Sequence, residues 1–320
     1  MLTEERKREI LEEVLNTELE GEKLYNFLKE KKYTAEELLF LLKQNEISQK
    51  LAQIENKKDG KYLKEAIALL PEEQRIKILQ REDVIDKLAW DRDKKDGFYL
   101  KEAIALLPEE QRIEILQRED VIEKLAWYEN AKFGAHLKEA IALLPKEQRI
   151  KILQREDVIE KLAWNEDEKD GYYLKEAIKL LPKEQHIKIL QQSDVIDKLA
   201  WDRDKKDGFY LREAIALLPE KQRIKILQRE DVIEKLAWYE GKKDGYYLLK
   251  AIELVPTKQC ILILSKLKVI ELLQWDSGKR SIKYLHKILV KLPIELIIKF
   301  IPQLPISVLK LLLKQFAIKE

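Results

Sequence analysis

The chain has 320 residues, with 61 Lys and Arg against 59 Asp and Glu and a formal net charge of +2, a balance that argues against a general nucleic-acid binder, which carries a marked basic excess. Its single cysteine, Cys260, excludes an intrachain disulfide. The opening MLTEERKREILEEV lacks the uninterrupted apolar core of a signal peptide, and no run reaches the roughly 18 apolar residues of a membrane span, so a soluble, cytoplasmic protein is expected.

Pro71, Pro108, Pro145, Pro182, Pro219, Pro256 and Pro293 fall every 37 residues, and Trp90, Trp127, Trp164, Trp201, Trp238 and Trp275 keep the same step. Self-similarity at this period predicts an all-α fold, an α-solenoid of 37-residue repeats with two to three short helices each. One copy cannot bury its apolar faces alone, so neighbours must supply the core.

In chain order, residues 1–21 read as an N-terminal partial repeat, a cap helix with Ile10, Leu11, Val14 and Leu15 on one face. Residues 22–58 form a degenerate repeat in which Thr34 replaces the proline, and Thr34-Ala-Glu-Glu37 predicts a capping box. Residues 59–280 hold six good copies. In the first of these the pattern predicts helices over about 60–70, 71–80 and 83–90. Tyr62, Leu63, Ala66, Ile67 and Leu70 face inward from the first helix, Ile76 and Leu79 from the second, and Asp83 caps the third. Residues 281–320 are a divergent, apolar C-terminal repeat. From Ile261 onward 11 Lys and Arg face 4 Asp and Glu.

EDVIEKLAW, a loop, and DGFYLKEAIALLPEEQRIEIL together resemble a degenerate ankyrin-like repeat, and a HEAT-like helical repeat fits nearly as well. LLPEEQRIKIL is similar to lines in repeat effectors of intracellular bacteria. Asp-Val-Ile-Asp at 83–86 stands where ankyrin repeats carry Thr-Pro-Leu-His, and the unit is longer than the 33 residues of that family. The resemblance implies a protein-binding scaffold, acting in a host cytosol if it extends to the effectors.

Several columns invite a functional reading. The tryptophans are expected to pack between repeats, the other reading being an exposed stripe for peptide or bases. Gln74, Gln111, Gln148, Gln185, Gln222 and Gln259 form one column and Arg75, Arg112, Arg149, His186, Arg223 and Cys260 the next. These two are expected to form a hydrogen-bonded ladder between repeats, with glutamates such as Glu73 or Glu82 satisfying the arginines.

The loop after each Trp varies, and variable positions on a fixed scaffold are where recognition is placed. Arg92, Phe98, Tyr128, His136, Asn165, Tyr172, Arg203 and Tyr239 are therefore the candidate binding residues. Asp91, Asp93, Asp96 and Glu102 echo a calcium loop, but Gly97 falls seventh rather than sixth. No metal, cofactor or catalytic residue is expected, and no enzyme. At the C-terminus Ile301, Leu309 and Phe316 mark an expected docking surface within 294–317, for self-association or a partner. The expected function is a non-enzymatic protein–protein interaction scaffold, with nucleic acid disfavoured by the charge balance. The alternative is a modular nucleic-acid-binding helical repeat protein.

Overall fold

The computed structural model describes residues 2–298, 301–304 and 306–317. The chain divides into two compact units, Met1–Asp167 (unit 1) and Glu168–Glu320 (unit 2). Unit 1 opens on a helix, Glu4–Leu15, followed by a copy made of helices Gly21–Lys31, Ala35–Leu42 and Asn45–Leu51 and strands Gln53–Ile54 and Lys57–Lys58. The next copy repeats this with Lys61–Ala68, Glu72–Leu79 and Glu82–Leu88, then Trp90–Asp91 paired antiparallel with Lys94–Lys95. Unit 2 carries hairpins at Trp201–Asp202/Lys205–Lys206, Trp238–Tyr239/Lys242–Lys243 and Trp275–Asp276/Lys279–Arg280. Its last helices are Lys283–Leu289, Ile294–Ile298 and Ile306–Ala317, with a 3-10 turn at Ile301–Gln303.

Each unit is an α-solenoid stack. First helices pack on first helices of the neighbouring copy and third helices on third helices. The core follows: Leu63, Ala66, Ile67 and Leu70 from the first helix and Val84, Ile85 and Leu88 from the third are at or near zero exposure. The second helix contributes Ile78 and Leu79 as its fully buried pair, whereas Ile76 sits at the margin.

Helix boundaries follow local chemistry. Thr34 Oγ1 accepts the Glu37 N–H at 3.3 Å and Glu37 Oε2 accepts the Thr34 N–H at 2.8 Å, a complete capping box. In later copies Pro71 takes the place of Thr34 and Gln74 that of Glu37. Proline has no N–H to offer. The buried Oε1 atoms of Gln74, Gln111, Gln148, Gln185, Gln222 and Gln259 accordingly have no hydrogen-bond partner. The glutamine Oε1 atoms therefore form no hydrogen-bonded ladder between copies.

The third helix starts at Glu82, with Arg81 in the cap position, so Asp83 is not its N-cap. Arg81 Nε and Nη2 instead donate to Asp83 Oδ1 and Oδ2 at 3.0 and 2.7 Å. Burial pushes the Asp83 carboxyl up, but Lys87 and Arg81 outweigh it and hold the group below its ordinary value. The ankyrin resemblance does not extend to the unit: three helices and a hairpin replace two helices and a turn.

Candidate functional site

The loop after each tryptophan is a two-residue β-hairpin. Its central pair has positive φ at both positions: Arg92 and Asp93 at 47° and 67°, Arg203 and Asp204 at 47° and 59°, Glu240 and Gly241 at 46° and 75°. That is the type I′ turn favoured between twisted strands, and it explains Asp, Asn or Gly at the second position. The turn also stitches copy to copy. In unit 1 the N–H groups of Asp93 and Asn130 donate to the carbonyls of Lys58 and Lys95 at 2.9 and 3.0 Å. In unit 2 Asp204, Gly241 and Gly278 do the same to Lys169, Lys206 and Lys243. Where the residue is Asp or Asn, its side chain also accepts the lysine N–H, as in Lys58 N–H to Asp93 Oδ1 at 2.8 Å.

Among the described residues, five of the seven hairpins are followed by a buried aspartate, Asp59, Asp96, Asp170, Asp207 or Asp244, and Phe133 and Ser281 take its place in the other two. Asp207 Oδ1 accepts the Phe209 N–H at 2.8 Å and Oδ2 accepts the Glu240 N–H of the next hairpin at 2.9 Å. Burial pushes the carboxyls of Asp59 and Asp207 above their ordinary value, partly offset by these amide donors. A Cβ on the adjacent Gly97 would sit 2.9 Å from the Leu125 Cα, so the close approach of the next copy requires glycine there, whereas Ile282 takes this position after the last hairpin. Of the aspartates that echoed a calcium loop, Asp93 and Asp96 are thus bound to main-chain amides. Among the described residues no His, Cys, Asp and Glu group could hold a metal ion.

The tryptophans are half-buried, as packing requires, and a lysine from the preceding copy lies over every ring. Lys58 stands 4.4 Å from the Trp90 centroid, Lys132 4.5 Å from Trp164 and Lys206 5.0 Å from Trp238. These are cation–π contacts.

The arginine column does link copies, but through carbonyls rather than glutamates. Arg112 donates to the carbonyl oxygens of Leu107, Ala105 and, in the next copy, Leu143, at 2.9, 3.2 and 2.9 Å. These are the orphan carbonyls at first-helix ends. His186 and Cys260 reproduce part of this: His186 Nε2 lies 2.9 Å from the Leu181 carbonyl, and Cys260 Sγ 3.5 Å from that of Val255. Burial pushes the Cys260 thiol up. A second arginine column, missed in the sequence, reaches backward. Arg81 Nη1 donates to the Leu42 carbonyl at 2.8 Å and Arg229 Nη1 to that of Leu190 at 3.0 Å.

The candidate binding residues fall into two groups. Phe98, Tyr128 and His136 come together in unit 1, with ring centroids 6.0 Å apart for Phe98–His136 and 5.7 Å for Tyr128–His136. Phe98 and Tyr128 are exposed, while His136 is buried, its Nε2 3.2 Å from Asp96 Oδ1 without the alignment of a hydrogen bond. Arg92 lies at a turn and Asn165 is half-buried on the strand Trp164–Asn165. In unit 2 Arg203 lies at a turn, Tyr172 packs edge-on to Tyr210 at 6.1 Å, and Tyr239 meets Tyr247 at 5.7 Å. Of the docking residues, Ile301 is exposed and Leu309 half-buried; the Phe316 side chain lies outside the described residues.

Charge separates the units. Unit 1 has 31 Lys and Arg against 38 Asp and Glu, a net −7; unit 2 has 30 against 21, a net +9; together these give the +2 of the chain. On the hairpins of unit 2, Lys205, Lys206, Lys242, Lys243, Lys279 and Arg280 are all exposed. Among the described residues none of these five lysines has an ion-pair partner. The Arg280 guanidinium lies 3.5 Å from Glu271. Tyr239 pairs across the hairpin with Lys242, and Tyr239 and Tyr246 are 37% and 36% exposed.

The chain is an α-helical repeat protein. No family model and no curated protein matches it. It is similar to the crystal structure of PUF-8 in complex with PBE-RNA, at 13% identity over 89% of this chain and 91% of that one, with a TM-score of 0.44. It is also similar to the Puf3 RNA binding domain bound to the Cox17 RNA 3′ UTR recognition sequence site A, at 17% identity over 95% of each chain, with a TM-score of 0.43. The likeness is one of fold. Two expectations are corrected here, the protein–protein scaffold and the argument against nucleic acid. Both of those solved structures are RNA complexes; what overturns the charge argument lies in this chain, whose balance averages two units of opposite sign.

Proposed function

We propose that unit 2 binds single-stranded nucleic acid along its hairpin edge, as a binding protein without a catalytic step. The observation that carries this reading is the stack of hairpins Trp201–Lys206, Trp238–Lys243 and Trp275–Arg280, each ending in two exposed basic residues and joined by main-chain hydrogen bonds. Consecutive strand residues point to opposite faces. One row, Lys206 and Lys243, lies on the tryptophan rings of the next copy, and the other, Lys205, Lys242 and Lys279, is left for phosphates. Exposed Tyr239 and Tyr246 supply faces on which bases stack, and basic residues interleaved with aromatics are how single strands are held without sequence preference. Arg203 and Tyr239, singled out by sequence variation, belong to this edge.

A fluorescence-anisotropy titration of a labelled single-stranded oligonucleotide at low salt tests the reading. Saturable binding, tighter than to the duplex of the same sequence, is expected. Absence of binding to any oligonucleotide would remove the reading.

A further inference from the structure

The hairpins join the third helix of one copy to the first helix of the next, and the second helix joins the other ends of the first and third. Each copy therefore has two edges, and the second-helix edge changes character near the C-terminus. Three of its solvent-facing columns carry charge or hydroxyl in the inner copies. Lys77, Lys151, Lys188 and Lys225 share a column with Leu262, Glu82, Glu119, Glu156 and Glu230 share one with Leu267, and Glu72, Glu109 and Glu220 share one with Ile294. Leu262, Leu267 and Ile294 remain exposed, at 49%, 67% and 48%. These are not core positions left uncovered; they are surface positions whose polar residues have been exchanged for aliphatic ones. Of the eight large aliphatic side chains exposed among the described residues, seven lie beyond residue 261, and only Leu69 lies elsewhere.

The accompanying charge is basic. Lys258 stands one helical turn before Leu262 on Thr257–Leu264, in a column that is Glu73, Glu110, Glu147 and Glu184 in earlier copies and already Lys221 in the copy before it. Lys268 replaces Asp83, Asp120, Asp157, Asp194 and Asp231. On Ile306–Ala317, Val308 and Leu312 are buried while Ile306, Lys310 and Leu313, at i, i+4 and i+7, are exposed on one face.

We propose that this second-helix edge of unit 2 docks on an anionic lipid surface. Aliphatic side chains gathered at the surface positions of one edge mark a contact site. The basic side chains placed with them, Lys258, Lys268 and Lys310, select the occupant: a second copy would bring the same positive charge, and a nucleic acid offers no hydrocarbon to Leu262, Leu267 and Ile294. An anionic bilayer offers both headgroup charge and an apolar layer a few ångströms beneath it. The contact is interfacial, since no helix among the described residues is long and apolar enough to cross a membrane. The site is separate from the hairpin edge and does not rest on the nucleic-acid reading.

Co-sedimentation of the full chain with phosphatidylcholine vesicles, with and without phosphatidylserine, tests it. Binding to the serine-containing vesicles and not to the neutral ones is expected. The double variant Leu262→Lys/Leu267→Glu installs the residues these columns carry elsewhere, so it keeps the net charge and is expected to keep the melting temperature. Its vesicle binding should fall at least tenfold. Lys258→Glu, likewise the residue of its column, should weaken binding several-fold and provides a second reading should the double variant lose its fold. No binding by the unmodified chain, equal binding to neutral vesicles, or undiminished binding by the double variant each overturns the proposal. So does loss of binding only when Lys205, Lys242 and Lys279 are reversed, since the hairpin edge would then be holding the vesicles.

Discussion

Residues 91–100 and 202–211 are the same ten amino acids, DRDKKDGFYL, placed 111 positions apart in different units. The local structure is the same in both: a type I′ turn, an aspartate buried beneath it, and a first helix starting after the glycine. The surroundings differ. In unit 1 Lys94 lies 3.1 Å from Glu129 of the next hairpin, which continues with Asn130 and Ala131. In unit 2 the next hairpin continues with Gly241 and Lys242, and Lys205 has no acidic partner among the described residues. The interactions that hold the fold belong to the Asp, the Gly and the main chain, and they are shared. The charge that could recognise a polyanion sits in the remaining turn positions, which are free to change because the fold asks nothing of them.

The largest expected contrast is in binding. Reversing Lys205, Lys242 and Lys279 to Glu should lower oligonucleotide affinity at 50 mM salt by about 100-fold or more, because each reversal removes a phosphate contact and adds a repulsion. Reversing Lys57 and Lys94 in unit 1 should change it by less than about twofold. Equal losses would mean that the two edges do not differ in function.

In stability the units should behave alike. Asp207→Ala strands two amide donors, those of Phe209 and Glu240, and should destabilise its unit by about 2–3 kcal/mol in urea titrations. Asp96→Ala, which strands the N–H groups of Phe98 and Glu129, should cost about the same. A loss confined to one unit would show that the stitch is not a common device.

The pH dependence sharpens the same point. A carboxyl whose folded pKa is raised binds more protons folded than unfolded, so its contribution to stability falls as pH rises from about 4 through the folded value. Burial places Asp207 in that class. Asp231 runs the opposite way. Burial raises it, but Arg229 holds it below its ordinary value, so its contribution is lost as pH falls. Replacing Asp207 by Asn should remove the descending component, and the stability of the variant relative to the parent should improve as pH rises from about 4. A difference independent of pH would contradict the assignment.

The smallest effect is a gain. Gly241 and Asn130 share a turn position and nearly the same φ, 75° and 72°, but only Asn130 accepts a lysine N–H, that of Lys95 at 2.8 Å. Gly241→Asn should therefore stabilise unit 2 by about 0.5–1 kcal/mol.

Much of the fold was legible because the repeat prints its own alignment. The proline step marked the second helix, and Thr34 with Glu37 marked the capping box, since both signals act over a few residues. The hairpins are legible too, since Asp, Asn or Gly at the second turn position is an I′ signature, but the acidic spacing around Asp91 and Asp96 also fits a metal loop, so residue identity alone does not choose between them. The carbonyl partners of Arg112 and Arg81 could not be read, because a main-chain acceptor leaves no trace in residue identity. The charge contrast was visible in part, as the basic excess after Ile261, but its division between two packing units depends on which residues touch. Near-neutrality of the whole chain hides two units of opposite charge.

The most direct test of the account is the salt dependence of single-strand binding. If Lys205, Lys242 and Lys279, the row left free by the tryptophan rings, each meet a phosphate, the logarithm of the affinity should fall with the logarithm of salt concentration at a slope of about −2, and each lysine removed should reduce that slope by about 0.7. The account predicts that slope for the parent chain and a stepwise reduction through Lys205→Ala, Lys242→Ala and Lys279→Ala. A slope near zero, or one that these three substitutions leave unchanged, would contradict it.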